Sequence, residues 1–475
     1  MTDETAYFKS EEFLEILQQY EDSVKSGHPI YMDADDLASI ADYYHYYGRT
    51  EEADIAIGQA LQYSPEAVAP LLYKAREALS VRDFEKAREY AERIRPTDEV
   101  EYLYLKGEIL ICKGKADEAD DLFRQHFREV PPDEHTDYVY DVANLFSDYD
   151  QHDLAFQWMA RSRGDNSDDF KELMAHTLFG LGKYKDSERI FSELIDHDPF
   201  SKKYWNALAS AQFMSEDYGA SVTSSEYAIA IDPSDPESIL SKANGLLRLE
   251  NYEEALTYFE RYNDLIDDDE FGYLHQATCL ISLGRMDEAI ERLRKAADIA
   301  PSDSQYLPEI YQEMAFVYNE LKMPETALYY INKTKYLDCN HNDMEVIRGH
   351  ILMANNRLDE AGEAFERALK DSGNAPKTML RIIVSLYDNQ RFNDTYRLFK
   401  KYFKYVGDDW DEGYSYMALC CKDLHKVEEF LTYLTLATEK NPKEAQFVLG
   451  HLFPKGMPPT DYVDYVRNII NKKQT

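Results

Sequence analysis

Three groups of residues in this chain have types and spacings that could support chemistry. Gly180-Leu-Gly-Lys-Tyr has the glycines and lysine of a phosphate-cradling loop. Residues 264–270, Asp-Leu-Ile-Asp-Asp-Asp-Glu, have the carboxylates of a cation site, and 12 histidines with 5 cysteines offer bases, nucleophiles and metal ligands. A phosphate loop also needs an earlier glycine, and a Ser or Thr directly after its lysine to reach the magnesium ion. Tyr184 follows Lys183 instead, so this stretch reads as a tight turn between helices. A calcium loop alternates its ligands and bends at a central glycine. The acidic run does neither and reads as a solvated turn. The histidines are scattered, and no His-Glu-x-x-His, Gly-x-Ser-x-Gly or paired nucleophile and base stands at a working spacing. Cys112, Cys279, Cys339, Cys420 and Cys421 form no Cys-x-x-Cys pair and read as small hydrophobes in a reducing compartment. The expectation is a non-catalytic chain with no cofactor and no metal.

Recognition is then the expected task, and charge narrows its target. The net charge is −38, which repels phosphate backbones and argues against nucleic acid as a partner. Such acidity keeps a long, surface-rich chain soluble, or, in a sharper reading, matches a basic partner. The acidic start Met1-Thr-Asp-Glu-Thr-Ala-Tyr is unlike a signal peptide, and no apolar run of membrane-spanning length occurs. A cytoplasmic protein with no membrane contact is expected.

A two-part ladder of small residues supplies the elements. Ala53, Ala87, Ala119, Ala155, Ser187, Ser221, Ala255, Ala289, Ala327, Ala361 and Thr395 recur at steps of 34, 32, 36, 32, 34, 34, 34, 38, 34 and 34. Twelve residues before them stand Ala41, Ala75, Gly107, Ala143, Ala175, Ala209, Ala243, Ala277, Ala315, Gly349 and, breaking the series, Ile383. Paired antiparallel helices approach closely only where no large side chain stands between them, and a bulky residue four positions on fills the crossing. That position holds Ile57, Phe123, Met159, Phe191, Phe259, Leu293, Ile331, Phe365 and Phe399, with gaps at Ala91 and Ser225. Gly48, Gly114, Gly182 and Gly284 mark inter-helix turns, and Pro65, Pro131, Pro199, Pro233, Pro301 and Pro442 end second helices.

With Trp205 and Tyr273 at the first large position, these residues resemble the tetratricopeptide repeat. Eleven matches run from about residue 34 to 407, and a twelfth, 410–442, is weak because Phe430 replaces the small residue. The resemblance implies an all-α, right-handed superhelical solenoid of antiparallel helix pairs. The array is expected over 34–442, with capping helices in 1–33 and 443–475 and irregularities near 131–170 and 302–310. A Ser10-capped helix over 10–26 carries the stripe Phe13, Ile16, Leu17 and Tyr20; at the other end, helices are expected over 444–453 and 461–471. The step of 38 is read as an insertion that extends the first helix near Pro308, or as a seam.

The resemblance also implies that binding uses the face lined by first helices. Positions three before, one after and four after the small residue are taken as inward-facing. In the central repeats these include Asn206 and Phe213, Asn244 and Leu247, Leu274 and Ile281, and Gln312, Phe316 and Asn319. Amides can hold an extended peptide backbone by donating and accepting at once, while Phe and Leu pocket its side chains. In the family's chaperone-tail subset, paired Lys and Asn clamp a terminal carboxylate. Asn206 and Asn244 match the asparagines, but no lysine stands at the matching inward positions, so an internal segment or folded surface fits better. The expected function is a scaffold binding a protein or peptide along this face. The alternatives are a subunit docking through its terminal helices and, far behind, an enzyme with an unrecognised site. The sequence leaves the oligomeric state open.

Overall fold

A computed structural model describes residues 7–27, 31–94, 100–162 and 164–474, and the side chains of these except 471–474. The acidic start before Tyr7, Arg163 within the irregular segment and the basic tail side chains of Lys472 and Lys473 lie outside the described residues. Every regular element among the described residues is helical. The chain divides into two compact units, Met1–Pro233 and Ser234–Thr475.

In the first unit, the helix Glu11–Ser26 precedes six helix pairs. Ser10 caps this helix, its Oγ accepting from the Phe13 amide at 3.2 Å, and Gly27 closes it with φ of 66°. Phe13, Leu17 and Tyr20 are buried against Leu37, Ile40, Ala41 and Tyr44 of the first pair, Ala34–Tyr46 and Thr50–Tyr63. This helix therefore covers the apolar face of the first pair. The pairs continue to Lys202–Met214 and Tyr218–Ile231. The irregularity near 131–170 has a local cause: the second helix His152–Met159 has only 8 residues and stops where Arg161-Ser-Arg-Gly begins. Its Trp158 is fully buried and donates from Nε1 to Asp120 Oδ1 at 2.8 Å, while the Arg161 guanidinium lies 4.1 Å over the indole. This polar and aromatic anchor replaces the missing turns.

The second unit also has six pairs, from Pro236–Arg248 and Tyr252–Leu265 to Tyr414–Asp423 and Val427–Lys440. The last pair is formed in full despite Phe430, which is half-buried between two apolar clusters, while Ala418 and Leu434 keep the usual small and large places. The extra residues near Pro308 lie mainly in the connection 300–306, not in a lengthened helix: Leu307–Glu320 has 14 residues, against 13 in the preceding first helix. Pro308 is accommodated in its first turn, where no amide bond is lost. The C-terminal lid comprises Pro442–Leu449 and Tyr462–Gln474, offset by a few residues from the expected bounds because Asn441 caps Pro442 as a helix start. Tyr462 is fully buried, its ring 3.7 Å from that of Phe453 between centroids, and its hydroxyl donates to Gln446 Oε1 at 2.9 Å.

Both ladders are buried in these pairs. At the two glycine rungs the first helix meets the large residue sixteen positions later. A Cβ added at Gly107 would stand 2.0 Å from Phe123 Cζ, and one at Gly349 would stand 2.3 Å from Phe365 Cε1. Serine rungs tie the pair further: Ser187 Oγ donates to the Ala175 carbonyl and Ser221 Oγ to the Ala209 carbonyl, both at 2.8 Å. Each of the twelve inter-helix turns carries a left-handed residue five positions before the second-helix rung. Four are the expected glycines, with φ from 70° to 74°; the others include Arg82, Glu216, Glu250, Lys322 and His425, with φ from 59° to 63°. Outside glycine this conformation costs roughly 1–2 kcal/mol, and the close helix approach supports it.

Two outcomes follow for thermal unfolding. Glu250→Gly raises the melting temperature, by a stabilisation of about 0.5–1 kcal/mol, whereas Gly284→Ala lowers it although nothing lies within 4 Å of the added Cβ. Gly107→Ala destabilises by about 1–3 kcal/mol through overpacking, and Phe123→Leu in the same chain restores part of the loss.

Candidate functional site

Four first helices of the second unit enclose a groove of about 550 Å³: Leu307–Glu320, His341–Ala354, Pro376–Asp388 and Tyr414–Asp423. Its lining follows the repeat register. Two positions before the small residue stand Glu313, Ile347, Arg381 and Tyr416; one position after stand Phe316, His350 and Val384. Asp388 lies five positions after Ile383, and Gln312, Val346 and Leu380 lie three before their rungs. Successive residues turn about 100° around a helix, so the −2, +1 and +5 positions share one face about 100–160° from the rung. That face points away from the paired second helix and is left to the groove.

The walls are mainly apolar, and Phe316 keeps 45% of its surface exposed. Polar side chains tie neighbouring repeats at the edge. Asn355 Nδ2 donates to Asn319 Oδ1 at 3.0 Å and to the Ile351 carbonyl at 2.7 Å. Asn389 Nδ2 donates to His350 Nδ1 at 3.2 Å, and Ser385 Oγ lies 3.0 Å from the same nitrogen. Burial depresses the His350 pKa, a shift that Asp388 and Glu320 oppose, so the neutral ring suits its place as an acceptor. Arg381 forms an ion pair with Asp343. Among the described residues, Gln312, Glu313 and Asp388 make no side-chain hydrogen bond or ion pair within the chain. Burial, and secondarily Glu309, push the Glu313 carboxyl up to about 7; burial also raises Asp388, with His350 countering.

Comparison with known proteins agrees with the helix-pair register. Two family models described as "Tetratricopeptide repeat" match residues 173–236 and 346–370. The chain contains tetratricopeptide repeats. A model described as "Anaphase-promoting complex, cyclosome, subunit 3" matches residues 205–296 of the repeat array. "Protein STIP1 homolog" of Dictyostelium discoideum is 30% identical over 119 residues, which are 25% of this chain and 21% of that protein; the chain thus spans about a fifth of that relative's length. Among solved structures, yeast Tom70 is 13% identical, with a TM-score of 0.44 over 99% of this chain and 95% of that one. The structure of the "APC/C hetero-tetramer Cut9-Hcn1" is 15% identical, with a TM-score of 0.36 over 95% of this chain and 98% of that one. Tetratricopeptide repeats generally bind proteins, and none of these three family models is described as a catalytic domain. Among the described residues, no helix is long and apolar enough to cross a membrane.

The motifs weighed for chemistry are parts of the tetratricopeptide scaffold. Gly182 is a left-handed turn residue, and the His152 ring fills the space where a Cβ on Gly180 would stand. The acidic run at 264–270 is an inter-repeat turn whose Asp269 caps the next helix, accepting from the Phe271 amide at 3.0 Å. The cysteines are free thiols, with burial raising Cys279 and Cys420 to about 12.

Of the nine expected binding residues, the groove gathers Gln312, Phe316 and Asn319. The other six lie on earlier first helices, with Asn206 and Phe213 in the first unit. Asn206 is 3% exposed, and Leu274 is fully enclosed, which removes both from a ligand-facing surface. Phe213, Asn244, Leu247 and Ile281 are half-buried, and Phe213 packs edge-on against Tyr218 at 5.2 Å. Asn319 is 7% exposed and its carbonyl oxygen is already engaged. The reason is angular. Positions −3 and +4 sit only about 60° and 40° from the buried rung, so they fall at the packing edge of the face. Extending the same register into the next repeats and shifting it to −2, +1 and +5 would have found Glu313, His350, Val384 and Asp388.

The raised Glu313 pKa makes stability depend on pH. Between its ordinary value of 4.5 and about 7, the folded state holds more protons than the unfolded state, so stability falls as pH rises through this window. Glu313→Gln removes a penalty of about 1–3 kcal/mol above it. The variant is expected to melt higher than the parent at pH 8, with the gain shrinking toward pH 5.5, as followed by circular dichroism.

Proposed function

We propose that the chain is a non-catalytic scaffold that binds an extended peptide segment of a partner protein in the groove between residues 312 and 416. One observation carries this reading: four successive first helices present a mainly apolar face around a groove of about 550 Å³, with the Phe316 ring 45% exposed. Large solvent-facing aromatics at a concave site are characteristic anchors for partner side chains. The tetratricopeptide architecture explains why this face is available. The rungs consume the opposite face of each helix in pairing, and the second helices cover the outside. Gln312 supplies an amide for a peptide backbone beside the apolar anchors.

Docking through the terminal helices finds less support. Tyr462 and Phe453 stack on each other, and Phe13, Leu17 and Tyr20 pack on the first repeat, so the main apolar stripes at both ends are spent within the chain; Leu14, Phe447 and Ile469 stay exposed there as separate side chains with no groove around them.

The test begins with panning of a random dodecapeptide library against the full chain. Enriched peptides are then measured by fluorescence anisotropy on Phe316→Ala with Val384→Ala, and on Phe200→Ala, an 81% exposed aromatic in the first unit. The groove variant is expected to weaken binding at least about tenfold, with Phe200→Ala unchanged. Equal binding to parent and groove variant for every enriched peptide would overturn the proposal.

A further inference from the structure

Glu313 and Asp388 are an unusual choice for an apolar wall. Each is a carboxylate partly withdrawn from water, and neither has a hydrogen-bond or ion-pair partner among the described residues. Covering such a group with an apolar or acidic ligand deepens its desolvation without compensation. The cation among the groove residues, Arg381, is already paired with Asp343 and offers little to an acidic segment. Glu309 and Glu320 extend the negative field along the Leu307–Glu320 helix.

We infer that the groove selects a basic segment with apolar flanks, an extended stretch of partner chain that places one Lys or Arg against Glu313 and a second against Asp388. This rests on the reading of the groove as a peptide site and names the chemistry of its occupant. The apolar flanks meet Phe316, Ile347, Val384 and Leu380; the two cations supply the counter-charges that the chain withholds. The desolvation that raises both carboxyl pKa values is a cost that the attraction of a bound cation offsets.

The register fixes the spacing of the two basic residues. Glu313 stands two positions before its rung and Asp388 five after, on helices separated by His341–Ala354. Seven residues along parallel helices is about 10 Å, and two interhelix spacings add about 16–20 Å across them. The diagonal of about 20 Å corresponds to roughly six residues of extended chain. The net charge of −38 would also speed the approach of such a segment, with a rate that falls as salt is added.

The same dodecapeptide panning tests this, with peptides scored as groove-dependent when Phe316→Ala with Val384→Ala weakens them. Groove-dependent peptides are expected to be enriched in Lys and Arg among apolar residues, at a separation of about five to seven positions. Glu313→Gln with Asp388→Asn should weaken them at least about tenfold and flatten their salt dependence. Replacing the two basic residues of a peptide by Gln should abolish its discrimination between parent and variant, which a merely structural role for the carboxylates would not do. Groove-dependent peptides without basic enrichment, or with unchanged affinity for the double variant, would overturn this inference and leave the peptide site standing. A panning with no groove-dependent peptide would overturn the peptide site itself, and this inference with it.

Discussion

The close approach of the two helices in each pair is the constraint on which the rest of the structure depends. In most pairs it is set by a small residue on the first helix with a large one sixteen positions later. Where the first residue is glycine the second is phenylalanine, and at Gly107 and Gly349 a single added carbon would clash with the edge of the opposing ring. Where the second is small, as at Ala91 and Ser225, the first is an alanine. The close contact also forces the connection to be tight, so every inter-helix turn carries one left-handed residue, glycine or not. Packing of the pair thus bears the conformational cost of Arg82, Glu250 and His425. It also decides which helix faces remain for other work.

Much of this architecture was legible because it repeats. Residues that keep a fixed spacing through eleven copies report a shared local geometry, and the burial of both ladders follows from it. The Ser10 cap and the stripe Phe13, Leu17 and Tyr20 were legible for the same reason, since capping and amphipathicity are local. Departures from the repeat were harder to read. The extra residues before Pro308 could lengthen a helix or a loop, and only the packing of the next pair places them in 300–306. Phe430 looked like a broken rung, yet the last pair absorbs it between two apolar clusters because Ala418 and Leu434 keep their places. The bounds of Pro442–Leu449 depended on whether a proline ends one helix or begins another, a choice made by the Asn441 cap.

The candidate site was legible in part. Reading the inward face at −3, +1 and +4 found Phe316 and Gln312, but it drew in Leu274 and Asn319, which sit near the packing edge. An error of about one residue in register is 100° of rotation, enough to exchange a groove wall for an interface. The two carboxylates that give the groove its character, Glu313 and Asp388, stand at −2 and +5 and look like ordinary acidic surface in a chain with 90 Asp and Glu residues. Only their placement inside a mostly apolar groove, with no internal partner among the described residues, separates them from that background. Scaffold and recognition are therefore written at different angles of the same helices.

Hydrogen–deuterium exchange of the full chain, with and without a saturating enriched peptide, decides whether the groove is where a peptide binds. Slowed exchange is expected in Leu307–Glu320, His341–Ala354 and Pro376–Asp388, with little change in Lys202–Met214 or the terminal helices. Protection confined to the terminal helices, or to first helices outside 307–423, would contradict it.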